Sequence, residues 1–448
     1  HTLEDGGNPD ETAPVVANLS QPAYAQAWWP CQDKPGDKFL VSMTVSVPDT
    51  LVAVSNGTLI DQRIIDPGWM TYRWSEAHPI ASYLVSVAVS DYVLLAEECR
   101  TTAGSVVPLR HWVFPKDREA AEIEFADLCP MMEFCEGLFG PYPFEGEKYG
   151  HAEFIWNGAM EHQTVTSIGH GSFDPPGAHQ WLVKHELAHQ WFGDSLTPAD
   201  WADVRLNEGF ATYSEALWFE QTEGVETYHD FMEQKRREDD WLKQGPVYDP
   251  MPVFPGRVIY DKGAWILHVL RGRMGDAAFF GMVKEWSDEG DRPLGYVATQ
   301  ELVDLAESWA GEPLDDFLWP YLTETELPRL VFEYDVTQDD AAANYRVKVS
   351  LRQVQGPFYD LVLPLVVTTA AGVETRSLHL AATTLTEEFE FHDPIIAVEL
   401  DPDSWGLWNP AGAEDSGGGI QIAYPNPTVD GIINFRFTLD SSSRVVLK

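Results

Sequence analysis

Positive charge is scarce in this chain. Its 448 residues carry 29 Lys+Arg against 71 Asp+Glu, a formal net charge of −42. A uniformly acidic surface repels phosphate backbones, which excludes nucleic acid as a partner. The excess reads as a solvated, soluble surface or as an adaptation to salt. Long apolar runs are missing too. The best candidate, residues 83–96, is short and interrupted by Asp91, so no transmembrane helix is expected. Cysteine is sparse: Cys31, Cys99, Cys129 and Cys135 do not make a disulfide scaffold in a chain this long, and none forms a C-x-x-C pair. That argues against a cysteine–zinc site or a redox dithiol. Cys129 and Cys135 fall on one expected helix but on different faces, so they are not paired here. Residue 1 is His rather than Met, which implies a removed leader or a fragment.

Apolar residues make up 44% of the chain and aromatics 12%, with 17 Trp, enough to build real cores and to exclude wholesale disorder. The length suggests two to four domains. Phe39, Val41, Met43, Val45 and Val47 alternate with Leu40, Ser42, Thr44 and Ser46, and Tyr83, Val85, Val87 and Val89 repeat that period of two. Turn signals at Ser55-Asn56-Gly57 and Asp66-Pro67-Gly68 lie between them. Residues 1–100 therefore read as a β-rich domain. Helical spacing takes over in 117–139, 178–192, 207–220, 262–274 and 296–310, giving a mostly helical domain over 101–327 with a small sheet near its start. Strands return over 328–405, where Tyr345, Val347, Val349 and Leu351 alternate, as do Leu361, Leu363 and Leu365. That pattern predicts a small immunoglobulin-like β-sandwich. A linker over 406–419, rich in Gly, Ser and acid towards its end, precedes a last β-like segment, 420–448, too short to bury a core of its own. The fold class is α+β and multidomain.

The sharpest signal is His185-Glu186-Leu187-Ala188-His189. On a helix, positions i and i+4 share a face, so both imidazoles can reach one ion. Trp181, Leu182, Trp191 and Phe192 are apolar enough to bury this helix. Zinc suits two imidazoles and a carboxylate, with Glu186 placed to deprotonate a water. Eighteen residues separate His189 from Glu208, at the start of a second amphipathic helix; Glu208 is a natural third ligand. Glu215, seven residues further on, returns to the same face and could orient a ligand histidine or simply be solvated.

This constellation resembles the zinc aminopeptidases of the aminopeptidase N and leukotriene hydrolase type, a gluzincin metallopeptidase family. Pro30-Cys31-Gln32-Asp33-Lys34-Pro35 is similar to that family's P-C-x-D-x-P stretch, Gly158-Ala159-Met160-Glu161-His162 to its G-A-M-E-N motif, and Tyr260-Asp261-Lys262-Gly263 to its Y-x-K-G. The resemblance implies a thermolysin-like catalytic domain and one zinc ion per chain, held by His185, His189 and Glu208. It implies Glu186 as general base and Tyr260 as hydrogen-bond donor to the oxyanion. Glu161 would bind the free α-amino group of a peptide, beside Gly158, Ala159 and Met160, with residues 153–161 as the edge strand along which the substrate lies. Gln21, nine residues before Pro30, matches a position that shapes the amino-terminal pocket.

Some positions depart from the family pattern. His162 stands where Asn is usual and could alter the geometry or pH dependence of amine recognition. Asp194 replaces an Asn, and Arg205 a Trp. About half of the family's N-terminal β domain and the large C-terminal helical domain of longer members are missing. Tyr424-Pro425-Asn426-Pro427 and the alternation after it resemble the start of a sorting-type module in secreted bacterial proteins, which implies export. The expected function is removal of amino-terminal residues from peptides. A zinc endopeptidase of thermolysin type and a non-catalytic surface-binding module on the same scaffold are the alternatives.

Overall fold

The computed structural model describes residues 14–101, 104, 106–339 and 344–411. The linker expected over 406–419 is not one at its start, because Asn409–Pro410 is a strand paired with Arg329 and Leu330; the rest of it, from residue 412, and the module expected over 420–448 lie outside the described residues. The chain divides into two compact units. One takes the residues up to Leu267 together with Asp276–Glu312; the other takes His268–Gly275 and the residues from Pro313.

The first unit opens with two three-stranded antiparallel sheets. Lys38–Pro48 pairs with Trp69–Ala81, which pairs with Thr58–Asp66; Val87–Ser90 lies between Val16–Ala17 and Val52–Ser55. Along Lys38–Pro48 the burial alternates as the sequence predicts, because Ser42, Thr44 and Ser46 keep one face polar. The second alternation fails. Ser82–Leu84 is a turn of 3₁₀-helix, the strand begins only at Val87, and residues 81–86 are all buried. This run is enclosed on both sides. Asn56 donates to the carbonyls of Leu84 and Gln163 and accepts from the Ser86 N–H, so its backbone is satisfied without a solvent face.

A five-stranded mixed sheet follows, in the order Ala159–Met160, Thr166–Gly169, Tyr149–Phe154, Val106–Val113, Val93–Arg100. The stretch 153–161 is not one edge strand. Glu153 and Phe154 end an interior strand, and only Ala159–Met160 forms the edge. Gly158, whose φ is +102°, turns the chain between the two, and Gly169, where a Cβ would fall 2.0 Å from the Trp156 carbonyl oxygen, lets that connecting loop pack close.

The helices then take over. The expected helical stretch 117–139 divides at residues 125–127 into Arg118–Glu124 and Leu128–Phe139. The spacing at 178–192, 207–220 and 296–310 appears as Gln180–His189, Arg205–Glu223 and Thr299–Ala310. One bridge that the sequence reading did not foresee is present: Cys99, near the end of its strand, is bonded to Cys129 in the first turn of Leu128–Phe139, 30 residues on, and Cys135 is not paired with Cys129. Their spacing carries no sign of this, because the sheet and the helix meet only after folding. A C99S/C129S variant is expected to lose about 3–4 kcal/mol, the loop-closure entropy of a 30-residue ring. Thermal melting with and without reductant reads this; equal transitions would mean the bridge constrains nothing.

The second unit holds two sheets. Thr384–Phe391, Asn344–Gln353, Arg329–Asp339 and Asn409–Pro410 form one, and Gly372–Leu380, Leu361–Thr369 and Ile395–Leu400 the other. Val347, Val349 and Leu351 are buried on one, Leu361, Leu363, Leu365 and Val367 on the other, so each sheet presents one apolar face, as the period of two predicts.

Candidate active site

Two helices bring the sequence-predicted residues together. Residues 183–189 are all buried, so the first runs through the core rather than along the surface. Trp191 and Phe192 are buried as expected, but Trp181 is exposed, its ring facing the Lys235 ammonium at 5.9 Å. Before the helix, the Glu124 carboxylate accepts the backbone N–H groups of Gly177 and His179, which fixes how the chain enters its first turn. The second helix, Arg205–Glu223, is buried from Arg205 to Leu217. A Cβ on its Gly209 would lie 2.9 Å from the carbonyl carbon of Gly263. This near-contact of two backbones sets Val258–Lys262, a turn of π-helix, beside the helix and puts the Tyr260 ring 6.0 Å from the His185 ring. The glycine of the Y-x-K-G segment thus has a packing reason.

The two imidazoles are held at their far nitrogens. His185 Nδ1–H donates to Glu215 at 2.8 Å, and His189 Nδ1–H to the Phe192 carbonyl at 2.9 Å. Lys235 lies 3.3 Å from the other Glu215 oxygen. With both Nδ1 atoms donating, the neutral rings turn bare Nε2 lone pairs toward one another at 3.1 Å. Glu208 Oε2 completes the triangle, 3.5 Å from His185 and 3.4 Å from His189. Donors about 2.0–2.1 Å from one tetrahedral ion stand roughly 3.3–3.4 Å apart, so these three atoms fit a zinc ion. Electrostatics agree with a cation there. Burial works against charge on His185, yet hydrogen bonds to Glu208 and Glu215 outweigh it and lift the ring to about 9. Burial likewise opposes charge on Glu208, but His189 and His185 hold its carboxyl down to about 2.

Two further carboxylates face this triangle. Donor atoms of Glu161, Glu186 and His189 lie within 4.8 Å of one another. Burial raises Glu186 to about 8 against the pull of His189 and His185, and its Oε2 has no hydrogen-bond partner. Burial also raises Glu161, which accepts from the Gln21 side chain at 2.9 Å. Met160 points into the apolar cluster of Ile80, Tyr83 and Leu84, so what it offers a ligand is main chain; Ala159 beside it is half-buried on the sheet edge. Burial and the negative charges of Glu208, Glu161 and Glu186 keep the Tyr260 hydroxyl protonated far above its ordinary range.

Sequence reasoning missed several groups that hold this arrangement. Lys38 donates from Nζ to the carbonyls of Asp194 and Ser195, just past the first helix. Asn207 donates to the Tyr83 hydroxyl, which donates to the Gly193 carbonyl. Their partners lie 110 or more residues away in no set pattern, so no spacing announces them. Two of the departures, His162 and Asp194, have local partners. His162 is fully buried, bonds Ser167 Oγ at 2.8 Å and is driven down to about 3 by burial. It therefore brings no positive charge next to Glu161 near neutral pH. Asp194 accepts from Gln190, and burial raises its carboxyl well above the ordinary aspartate range. Asp33 of the P-C-x-D stretch accepts from Ser82 and from the Gln26 N–H, tying the early chain together.

Residues 131–321 match the Peptidase family M1 domain and residues 6–84 the Peptidase M1 N-terminal domain. Putative aminopeptidase-2 of Caenorhabditis elegans is 28% identical over 78% of this chain and 19% of its own length. Aminopeptidase N of Haemonchus contortus is 32% identical over 47% of this chain and 22% of that protein. Among solved structures, aminopeptidase A of Legionella pneumophila, in complex with aspartic acid, has a TM-score of 0.76 at 18% identity, covering 90% of this chain and 48% of that one. An M1 zinc metallopeptidase from Deinococcus radiodurans has a TM-score of 0.58 at 26% identity over 70% of each chain. The chain spans less than a third of the length of the curated relatives it matches.

Proposed function

Because the chain belongs to peptidase family M1, whose two domain models together match more than half of it, we propose that it is a zinc-dependent aminopeptidase acting on peptides with a free amino terminus. The observation that carries this reading is the triangle of His185, His189 and Glu208 with Glu161 and Glu186 at its rim.

His185, His189 and Glu208 would hold zinc, which supplies Lewis-acid chemistry, drawing electron density from the scissile carbonyl and easing deprotonation of water. The chain's own residues do the rest. Glu186, unpartnered at Oε2, takes the proton of the attacking water and returns it to the leaving amine. The Tyr260 hydroxyl, held neutral, donates to the oxygen that gains charge. Glu161 pairs with the substrate ammonium, and the Ala159–Met160 edge offers backbone groups to an extended peptide. Gln21 holds the Glu161 carboxylate in place.

Treating the full chain with 1,10-phenanthroline is expected to abolish hydrolysis of an aminoacyl p-nitroanilide, and added zinc to restore it. Hydrolysis that survives complete chelation would sink the reading. Glu215→Gln leaves His185 without its charged partner and is expected to weaken metal retention about 10–100-fold, seen as inactivation at lower chelator concentration. Unchanged chelator sensitivity would reduce Glu215 to a packing role.

No helix among the described residues is long and apolar enough to cross a membrane. We read the protein as exported, at the cell surface or beyond, and of bacterial source. The Cys99–Cys129 bridge supports an oxidising compartment, and the acidic composition suits an extracellular surface.

A further inference from the structure

We propose that Glu76, His78 and Glu147 form a second cation site, for a divalent transition ion such as zinc or manganese, separate from the catalytic triangle. The backbone builds it. Phe39 pairs with Ile80 and Val41 with Glu76, so Ala77, His78 and Pro79 stand out of register as a bulge in the Trp69–Ala81 strand. Each carboxylate is anchored to that bulge through one oxygen. Glu76 Oε1 accepts the His78 N–H at 3.2 Å, and Glu147 Oε1 accepts the Ala77 N–H at 2.8 Å.

The remaining atoms are what point to a ligand. Glu76 Oε2, Glu147 Oε2 and His78 Nδ1 are all buried without a hydrogen-bond partner. The two glutamate side chains are only 0% and 4% exposed. His78 Nδ1 lies 3.7 Å from Glu147 Oε2, too far for a hydrogen bond and near the roughly 3.4 Å expected between donors on one tetrahedral ion, and 3.7 Å from Glu76 Oε1, the oxygen that also accepts the His78 N–H. Three donor atoms, one from each residue, fall within 4.8 Å of one another. Burying two carboxylates is costly; the His78 ring, which Glu147 and Glu76 lift to about 9, meets part of that cost as an imidazolium, and an ion held by its bare Nδ1 and the unpartnered oxygens would take over that charge. The other charged group facing the cluster, Lys148, is already committed. Its ammonium donates to the Ser55 and Gly57 carbonyls and to Thr164 Oγ1, and sits 5.0 Å from the Trp74 ring centre.

One imidazole with two carboxylates favours zinc or manganese over calcium and magnesium, which prefer oxygen throughout. His78, 19% exposed in its side chain, leaves the ion an open side for water. The ion would tie the strand bulge to the loop ahead of Tyr149–Phe154, a structural role distant in kind from peptide hydrolysis.

The test counts metal and does not rely on activity. The full chain is stripped with chelator, reloaded with zinc, desalted in excess magnesium to clear the acidic surface, and analysed by mass spectrometry of the element. The wild type is expected to retain about two equivalents, an H185A/H189A variant one, and that variant with His78→Ala none. A wild type that keeps a single equivalent, lost in H185A/H189A, overturns this site and leaves the proposed function standing. A single equivalent lost only on His78→Ala does the reverse. Because the wild-type count already separates one site from two, misfolding of a variant does not rescue the inference. Glu147→Gln, with its shape kept, repeats the His78 test.

Discussion

Glu186→Gln is expected to lower turnover on a free peptide by about 10³–10⁴-fold, with zinc content and fold unchanged. Glutamine keeps the volume and one oxygen of the side chain, so the buried helix around residue 186 loses no packing. What it loses is proton affinity. Burial lifts the Glu186 carboxyl to about 8, against the lowering influence of His189 and His185, so this group holds a proton far better than a solvated glutamate. The sign of the pH effect follows. As pH falls through the pKa of Glu186 in the loaded enzyme, which the ion's charge pulls below the bare-site value, the carboxylate is protonated and can accept nothing. The rate therefore drops on the acid side. In Glu186→Gln that acid limb is expected to disappear from the residual activity. A variant within tenfold of wild type, with the same acid limb, would mean that another group takes the proton.

The second large effect belongs to Glu161. Glu161→Gln is expected to cost about 10²–10³-fold in kcat/KM on peptides with a free amino terminus, the cost of leaving a desolvated ammonium without its countercharge. Glu161 is suited to this because it is nearly excluded from water and fixed by Gln21 at 2.9 Å, so it meets the ammonium without first reorganising. Hydrolysis of an amino-blocked peptide, already poor, should hardly change. If both substrates lose rate equally, Glu161 supports the metal environment rather than the amine. His162 gives no competing pH effect, since burial keeps it neutral to about 3.

What the sequence discloses depends on how local the cause is. The His185/His189 pair is legible because one helical turn brings the rings together, and the Lys38–Pro48 strand because one of its faces is polar. Residues 81–86 mislead because they are buried on both sides, which erases the alternation. Gln21 and Glu161 meet across 140 residues, and only the family resemblance could suggest it. Lys38, Tyr83 and Asn207 give no signal at all, because their partners are backbone carbonyls or one another, 110 or more residues away. Cys99 and Cys129 meet only once a sheet has packed on a helix. The Glu76–His78–Glu147 cluster needs a strand bulge, and bulges leave no fixed mark on periodicity.

The most direct measurement compares one peptide with a free amino terminus against its acetylated twin, both incubated with the zinc-loaded chain and followed by mass. Stepwise shortening of the free peptide alone is the predicted result, because the proposed mechanism gives the ammonium to the Glu161 carboxylate, which lies beside Glu186 and His189. Cleavage of the acetylated twin at a comparable rate would contradict the account: the zinc chemistry would remain, and the amino-terminal specificity assigned to Glu161 would be wrong.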